Sequence, residues 1–189
     1  MRTATLIIDM QVDFFAHERL TKNRRPLTEH TNTLIRMCRQ HEVPLVWIKT
    51  EFAADLHDAF LEIRKAGHGP VIAGTDGARI LPELEFHSSD IVLIKKRYSA
   101  FFQTDLEKTL SILRCERIVV AGINTHACVR TTVIDAYQRD YDTILAQDCI
   151  DSYDLEHHEV SWRYMNGKLA AGKSNAELSV LLRETEGAA

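Results

Sequence analysis

Residues Ile118–Tyr137, reading IVVAGINTHACVRTTVIDAY, decide how the rest of the chain is understood. Ile118, Val119 and Val120 make a β-branched run suited to a strand buried on both faces. Gly122 ends that run, Asn124 or Thr125 can cap the next element, and a helical pattern then predicts a helix over 124–140. Strand, polar turn and helix in direct succession are the mark of a parallel βαβ arrangement. The turn carries Cys128. In a helix's first turn, free backbone N–H groups and the positive end of the dipole favour a thiolate. Cys128 is therefore a candidate nucleophile, although an inert buried thiol is the commoner fate of a cysteine.

The same alternation extends outward in both directions. Ala4–Asp9 (ATLIID) reads as a buried strand whose last residue is a carboxylate, followed by a polar and aromatic loop over Met10–Phe15. A helix is predicted over Leu27–His41, with Leu34, Ile35, Met37 and Cys38 inward and Thr28 or Thr31 as caps. Pro44–Thr50 (PLVWIKT) is the second strand. Asp55–Lys65 reads as a helix with Leu56, Phe60, Leu61 and Ile63 inward, before six glycines and prolines between Gly67 and Pro82 break the chain into loop. Asp90–Lys95 is a third strand and Thr104–Leu113 a helix. Ile118–Ala121 is the fourth strand, Thr143–Ala146 a fifth ending at Gln147-Asp148. Asp154 caps an amphipathic helix through Met165. A sixth strand near Lys168–Lys173 is poorly supported, because KLAAGK lacks β-branched residues. Ala176–Arg183 closes the pattern as a helix, with 184–189 as a frayed tail.

These elements predict one three-layer α/β/α domain over 1–189, built on a central, mostly parallel, roughly six-stranded sheet. A chain of 189 residues is long enough for one sizeable core. A net charge of −4 gives no reason to expect nucleic acid or an anionic membrane surface as partner. No apolar run approaches membrane-spanning length, and Met1-Arg2-Thr3 leads straight into a strand, unlike a signal peptide. The four cysteines, Cys38, Cys115, Cys128 and Cys149, have no CxxC spacing and read as reduced thiols of a cytoplasmic protein.

Ligands of open parallel sheets bind outside the carboxyl ends of the strands. Asp9 ends the first strand, Lys95 ends the third, and Cys128 comes after the fourth, so three reactive side chains share one sheet edge. Any one alone has a bland alternative: a turn residue, a solvated lysine, a packed thiol. Their joint placement is the signal.

With those residues in view, the chain resembles the isochorismatase-like cysteine hydrolase superfamily, which includes nicotinamidases, N-carbamoylsarcosine amidases, ureidoacrylate hydrolases and isochorismatases. The matching blocks are Leu6–Phe14 (LIIDMQVDF), Gly74–Leu84 (GTDGARILPEL), Lys95–Phe101 (KKRYSAF), Gly122–Ala136 (GINTHACVRTTVIDA) and Asp148–His158 (DCIDSYDLEHH). The resemblance implies a triad of Asp9, Lys95 and Cys128. The family pattern of lysine, one variable residue, then Arg-Tyr-Ser-Ala-Phe selects Lys95 over Lys96. It also implies an oxyanion hole from the backbone N–H groups of Asn124 and Cys128, with a non-proline cis peptide at Ile123–Asn124.

Asp9 would then act as base and acid, Lys95 as fixed positive charge, and Cys128 as the nucleophile that forms a thioester. Family members that open the vinyl ether of isochorismate generally lack the cysteine, so Cys128 favours attack on an amide, ureido or carbamoyl carbonyl. The alternatives are isochorismatase chemistry with Asp9 as acid, or a binding protein that has kept the fold. Nicotinamidases bind a metal through an Asp-x-His motif after the second strand. Here Glu51-Phe52-Ala53 stands in its place, and His57 and His68 do not restore the spacing, so no metal and no cofactor is expected. Phe14, Arg97, Tyr98 and His126 are candidate substrate contacts; Arg97 could grip a carboxylate or equally fix its own loop. The resemblance further implies a small-molecule substrate and a homo-oligomer, dimer or tetramer.

Overall fold

The computed structural model describes residues 1–186. Six strands form one sheet in the order β3-β2-β1-β4-β5-β6, and every neighbouring pair is parallel. They are β1 (Thr3–Ile8), β2 (Leu45–Thr50), β3 (Ile91–Lys95), β4 (Arg117–Ile123), β5 (Asp142–Asp151) and β6 (Ala171–Lys173). The helices are α1 (Glu18–Gln40), α2 (Leu61–Ala66), α3 (Leu106–Ile112), α4 (Arg130–Tyr137), α5 (Leu155–Met165) and α6 (Asn175–Glu186). The chain runs from β1 outward to β3, then returns beside β1 as β4 and runs to the other edge. The reversal between β1 and β4 opens a crevice at their carboxyl ends.

Side-chain alternation splits the core into two layers. Ile7, Trp47, Val119 and Ala121 face Leu34 and Ile35 of α1 and Leu178 and Leu182 of α6. Leu6, Ile8, Val46 and Val120 face Leu106 and Leu110 of α3, Val133 of α4 and Met165 of α5. Residues such as Leu34 and Ile35, each wholly buried, contribute about 1.5–3 kcal/mol apiece. Trp47 is buried in the first layer, edge-on to Phe86 at 5.4 Å, with its Nε1 donating to Asp90. Trp162 packs over Gly172, where a Cβ would overlap the indole ring.

Several elements differ from the sequence-based expectation, each for a local reason. Helix α1 starts at Glu18, so Thr28 and Thr31 lie inside it and bond back to the carbonyls of Arg25 and Leu27. The His17 side chain caps the helix instead, and Pro26 is accommodated within it. The charged run ERLTKNRR hides this first part, because Leu20 is its one deeply buried apolar anchor before Leu27.

In 55–65 only Leu61 onward is helical, and the helix ends at Gly67 in the left-handed conformation. Asp55 and Asp58 accept from the backbone N–H groups of His57 and Ala53, which competes with helix formation. Leu61 consequently points to solvent, while Leu56 is buried at a positive φ of 61°. Strand β5 continues past Gln147-Asp148, because a register shift absorbs the extra residues between the Val120–Leu145 and Gly122–Ile150 pairs. The doubtful sixth strand does form, pairing with Ile144–Ala146 of β5. Helix α6 runs to Glu186, beyond the Arg183 end expected for it, and the last three positions of the expected tail lie outside the described residues.

Candidate active site

Asp9, Lys95 and Cys128 meet at the crevice, lining a cavity of about 440 Å³. Each arrives by a different route. Asp9 comes directly after β1 at a φ of 53°, a left-handed conformation held by its N–H bonding to Ile48 of β2 and its carbonyl accepting from Gln11. Lys95 is the last residue of β3, in register with Thr50 of β2. Cys128 sits beyond β4 in a π-helical turn, Thr125–Val129, that precedes α4.

This turn replaces the regular helix start expected from the sequence. The carbonyl of Asn124 accepts from both Ala127 and Val129, and the Ile123–Asn124 peptide is cis. Gly122 has a φ of +114°, and a Cβ there would overlap the backbone of Ile8, so only glycine lets β4 close on β1 here. Neither proposed cap acts as one: the Asn124 side chain accepts from Tyr153 N, and Thr125 donates to the Asp151 carbonyl.

The polar side chains form one connected, buried set. Lys95 Nζ lies 2.8 Å from Asp9 Oδ2, 2.6 Å from Thr50 Oγ1 and 3.3 Å from Cys128 Sγ. Thr50 in turn donates to Asp9 Oδ1 at 2.8 Å. Asp9 Oδ2 has the ion pair but no aligned hydrogen bond. Lys95 and Asp9 are each 1% exposed. Burial pulls the Lys95 ammonium down, but the charge of Asp9 and the hydrogen bonds to Asp9 and Cys128 outweigh it and hold the lysine above its ordinary range. Cys128 goes the other way from the expectation of a resting thiolate. Burial, reinforced by Asp9, pushes its thiol well up despite the opposing pull of Lys95. Lys95 is thus held toward its ammonium form and Cys128 toward its protonated thiol.

Further hydrogen bonds steady the turn that carries Cys128. Thr132 donates to the Cys128 carbonyl and accepts from Ala100 N, linking α4 to the loop after β3. Asp151, at the end of β5, accepts from Arg19 and Asn23, both at 2.5 Å. Ser152 shares a 2.5 Å hydrogen bond with His126, and His158 bonds Thr125. Sequence reasoning singled out neither Thr50, Asp151 nor Ser152. A strand-terminal threonine carries no motif of its own; the Thr50–Lys95 register would have been needed to find it.

Of the candidate substrate contacts, Phe14, Tyr98 and His126 line the cavity. Arg97 does not. Its guanidinium donates to the carbonyls of Asp58 and Lys96 and stacks on Phe60 at 5.1 Å, so it fixes its loop. Asn124 also lines the cavity beside Cys128. The residues that stand where nicotinamidases carry metal ligands do not fit an ion. Phe52 is buried among apolar side chains, Glu51 pairs with Lys49, and His57 pairs with Asp55 in the open. Among the described residues no three His, Cys, Asp or Glu side chains converge as ligands.

Comparison with known proteins identifies the family. An isochorismatase domain model matches residues 3–177. A probable inactive nicotinamidase of Arabidopsis thaliana is 33% identical over 150 residues, 75% of this chain and 76% of that one. The crystal structure of an isochorismatase family protein from Desulfovibrio vulgaris superposes with a TM-score of 0.87 at 26% identity, covering 96% of this chain and 98% of that one. N-carbamoylsarcosine amidase from Thermoplasma acidophilum aligns at a TM-score of 0.76 and 28% identity, over 93% and 97% of the two chains. A parallel sheet with its crevice at the β1/β4 reversal, and a family match spanning that whole sheet, place this chain in the isochorismatase family, whose members are hydrolases.

Proposed function

We propose that the protein is a cysteine-dependent hydrolase cleaving the C–N bond of a small amide, ureido or carbamoyl compound. The observation that carries this reading is the contact of Lys95 with both Asp9 and the Cys128 thiol at the base of one cavity. Nothing in a purely structural role requires a buried ion pair to be aimed at a thiol.

The resting thiol sets the order of events. Sγ attacks the substrate carbonyl carbon as its proton passes to the carboxylate of Asp9. Lys95 keeps a positive charge beside the developing thiolate, which offsets the burial that otherwise holds the proton on sulfur. The carbonyl oxygen becomes an oxyanion, for which the backbone N–H groups of Asn124 and Cys128 are the proposed donors. Asp9 returns the proton to the leaving nitrogen as the C–N bond breaks, giving a Cys128 thioester and ammonia or an amine. Water, deprotonated by Asp9, then cleaves the thioester to the acid and restores the thiol. No step requires a metal ion.

The test is ammonia release across a panel of small amides, with intact-protein mass spectrometry of the acyl adduct. Turnover abolished in Cys128→Ala, with the adduct mass confined to Cys128, supports the reading. Undiminished isochorismate hydrolysis by Cys128→Ala would instead assign the chemistry to Asp9 as acid. The similarity to a probable inactive nicotinamidase favours a second reading, a binding protein on this fold. An unreactive Cys128 toward iodoacetamide, with no adduct from any amide, would select it.

A further inference from the structure

Opposite the triad, the cavity is walled by the irregular segment between β2 and β3. That segment folds round its own apolar cluster of Phe52, Leu56, Ala59, Val71 and Ala78, separate from the two layers of the main core. Phe14, Phe60 and Ile63 pack on this cluster yet remain partly buried, because they also line the cavity. Phe52 and Phe60 meet edge-to-face at 6.1 Å, and Phe60 reaches Tyr98 at 4.9 Å. An aromatic wall therefore runs from the floor of the cavity to the exposed Tyr98.

The electrostatics of this wall matter as much as its apolar surface. The Asp, Glu, Lys and Arg side chains that line the cavity are Asp9, Asp13 and Lys95. Lys95 is committed to Asp9, and Asp13 is occupied by the Val71 N–H at 2.7 Å. Two further cations lie nearby and both are turned away. Arg97 is held by backbone carbonyls and by Phe60, while Lys96 pairs with Asp58 at 2.7 Å and donates to the Glu51 carbonyl. At the other side of the cavity His126 is kept below the ordinary histidine range by burial and then by His157, so it is neutral at neutral pH. A substrate carboxylate would leave water for a wall with no uncommitted Lys or Arg; Lys95 and Asp9 offset each other, and the remaining charged lining residue among Asp, Glu, Lys and Arg is Asp13, which repels it. Burying an unpaired charge in that way is strongly unfavourable.

We infer that the cavity selects uncharged amides or carbamoyl compounds bearing a compact apolar or aromatic group, seated on Phe14, Phe52, Phe60 and Ile63, and rejects those that also carry a carboxylate. The inference rests on the amide-hydrolase reading for its reacting group, but the selection itself is a property of the wall. It sets this site apart from one built for isochorismate, which has two carboxylates.

Matched pairs test it: benzamide against 4-carbamoylbenzoate, and isobutyramide against succinamate. Binding is measured by calorimetry on Cys128→Ala, and kcat/KM by ammonia release on the unmodified protein. The neutral member of each pair is expected to bind about 100-fold more tightly, the equivalent of two decades in Kd. A carboxylated member binding within threefold of its neutral partner, or no binding by either neutral amide, overturns the inference. Selective binding without turnover leaves the selection standing and removes the amide-hydrolase reading instead. Ile63→Arg adds a cation to the wall without touching the triad, and should narrow the preference at least tenfold; an unchanged ratio in the folded variant also counts against the proposal.

Discussion

Thr50 joins two strands' contributions in a single hydroxyl. It accepts from Lys95 and donates to Asp9, so both members of the buried ion pair are oriented through one oxygen. Thr50→Val keeps the shape and removes both bonds, and should cost about 1–3 kcal/mol of stability. It should also lower kcat about 10–100-fold with little change in KM, since it disturbs proton transfer and not substrate seating. Thr50→Ser should restore most of the loss. Asp9→Asn leaves the Lys95 ammonium buried without its counter-ion. A loss of about 3–5 kcal/mol in urea unfolding is expected, and adding Lys95→Met to that variant should recover part of it, because the pair is then removed together. The three charged or nucleophilic residues of the site were legible in the sequence because each ends or succeeds a strand within a recognisable block. Thr50 was not, since its role exists only through the register of β2 on β3. The neutral state of Cys128 was not legible either: the helix-start argument concerns the backbone's field, whereas burial, which the sequence does not display, dominates the thiol.

The element that most constrains the site is the junction of β4 with its π-helical turn. Gly122→Ala would place a Cβ against the backbone of Ile8 at a φ that L-residues avoid. A loss above about 4 kcal/mol, or no folded protein, is expected, measured by circular dichroism and thermal unfolding. By contrast, Asp154→Ala removes an N-cap on α5 that accepts from His157 N at 2.9 Å. That helix is one of the supports of the turn that carries Cys128 but not a bearer of it, so a drop of about 1 kcal/mol is expected, with kcat nearly unchanged. Strand cores and the α5 cap were readable because apolar runs and a capping aspartate are local signals. The start of α1, the bulge in β5 and the aspartate-ruled turns of 51–60 were not. There the outcome depended on which distant side chain or strand was available to satisfy the backbone.

For the molecule as a whole, buried thiols tie stability to alkaline pH. Burial pushes Cys38 and Cys149 up to about 12 from an ordinary value of 9.0. The unfolded chain loses those protons first, so their contribution is fully present below about pH 9 and is lost as pH rises toward 12. Urea unfolding between pH 9 and 11 should therefore show stability falling by up to about 1.4 kcal/mol per pH unit for each thiol. Cys38→Ala, though less stable at neutral pH, should show a shallower decline over the same interval. The three-layer architecture and its parallel sheet were the most legible feature of all, because alternating strand and helix patterns admit few other topologies.

The placement of the two tryptophans has a practical consequence. Trp47 is sealed in the α1 layer and Trp162 lies over Gly172, and neither lines the cavity. Their fluorescence will track unfolding faithfully and remain silent when a ligand enters, so emission spectra report on folding without interference from occupancy. A tryptophan introduced as Tyr98→Trp, beside Phe60, would supply the missing optical reporter, with the native pair serving as its internal control.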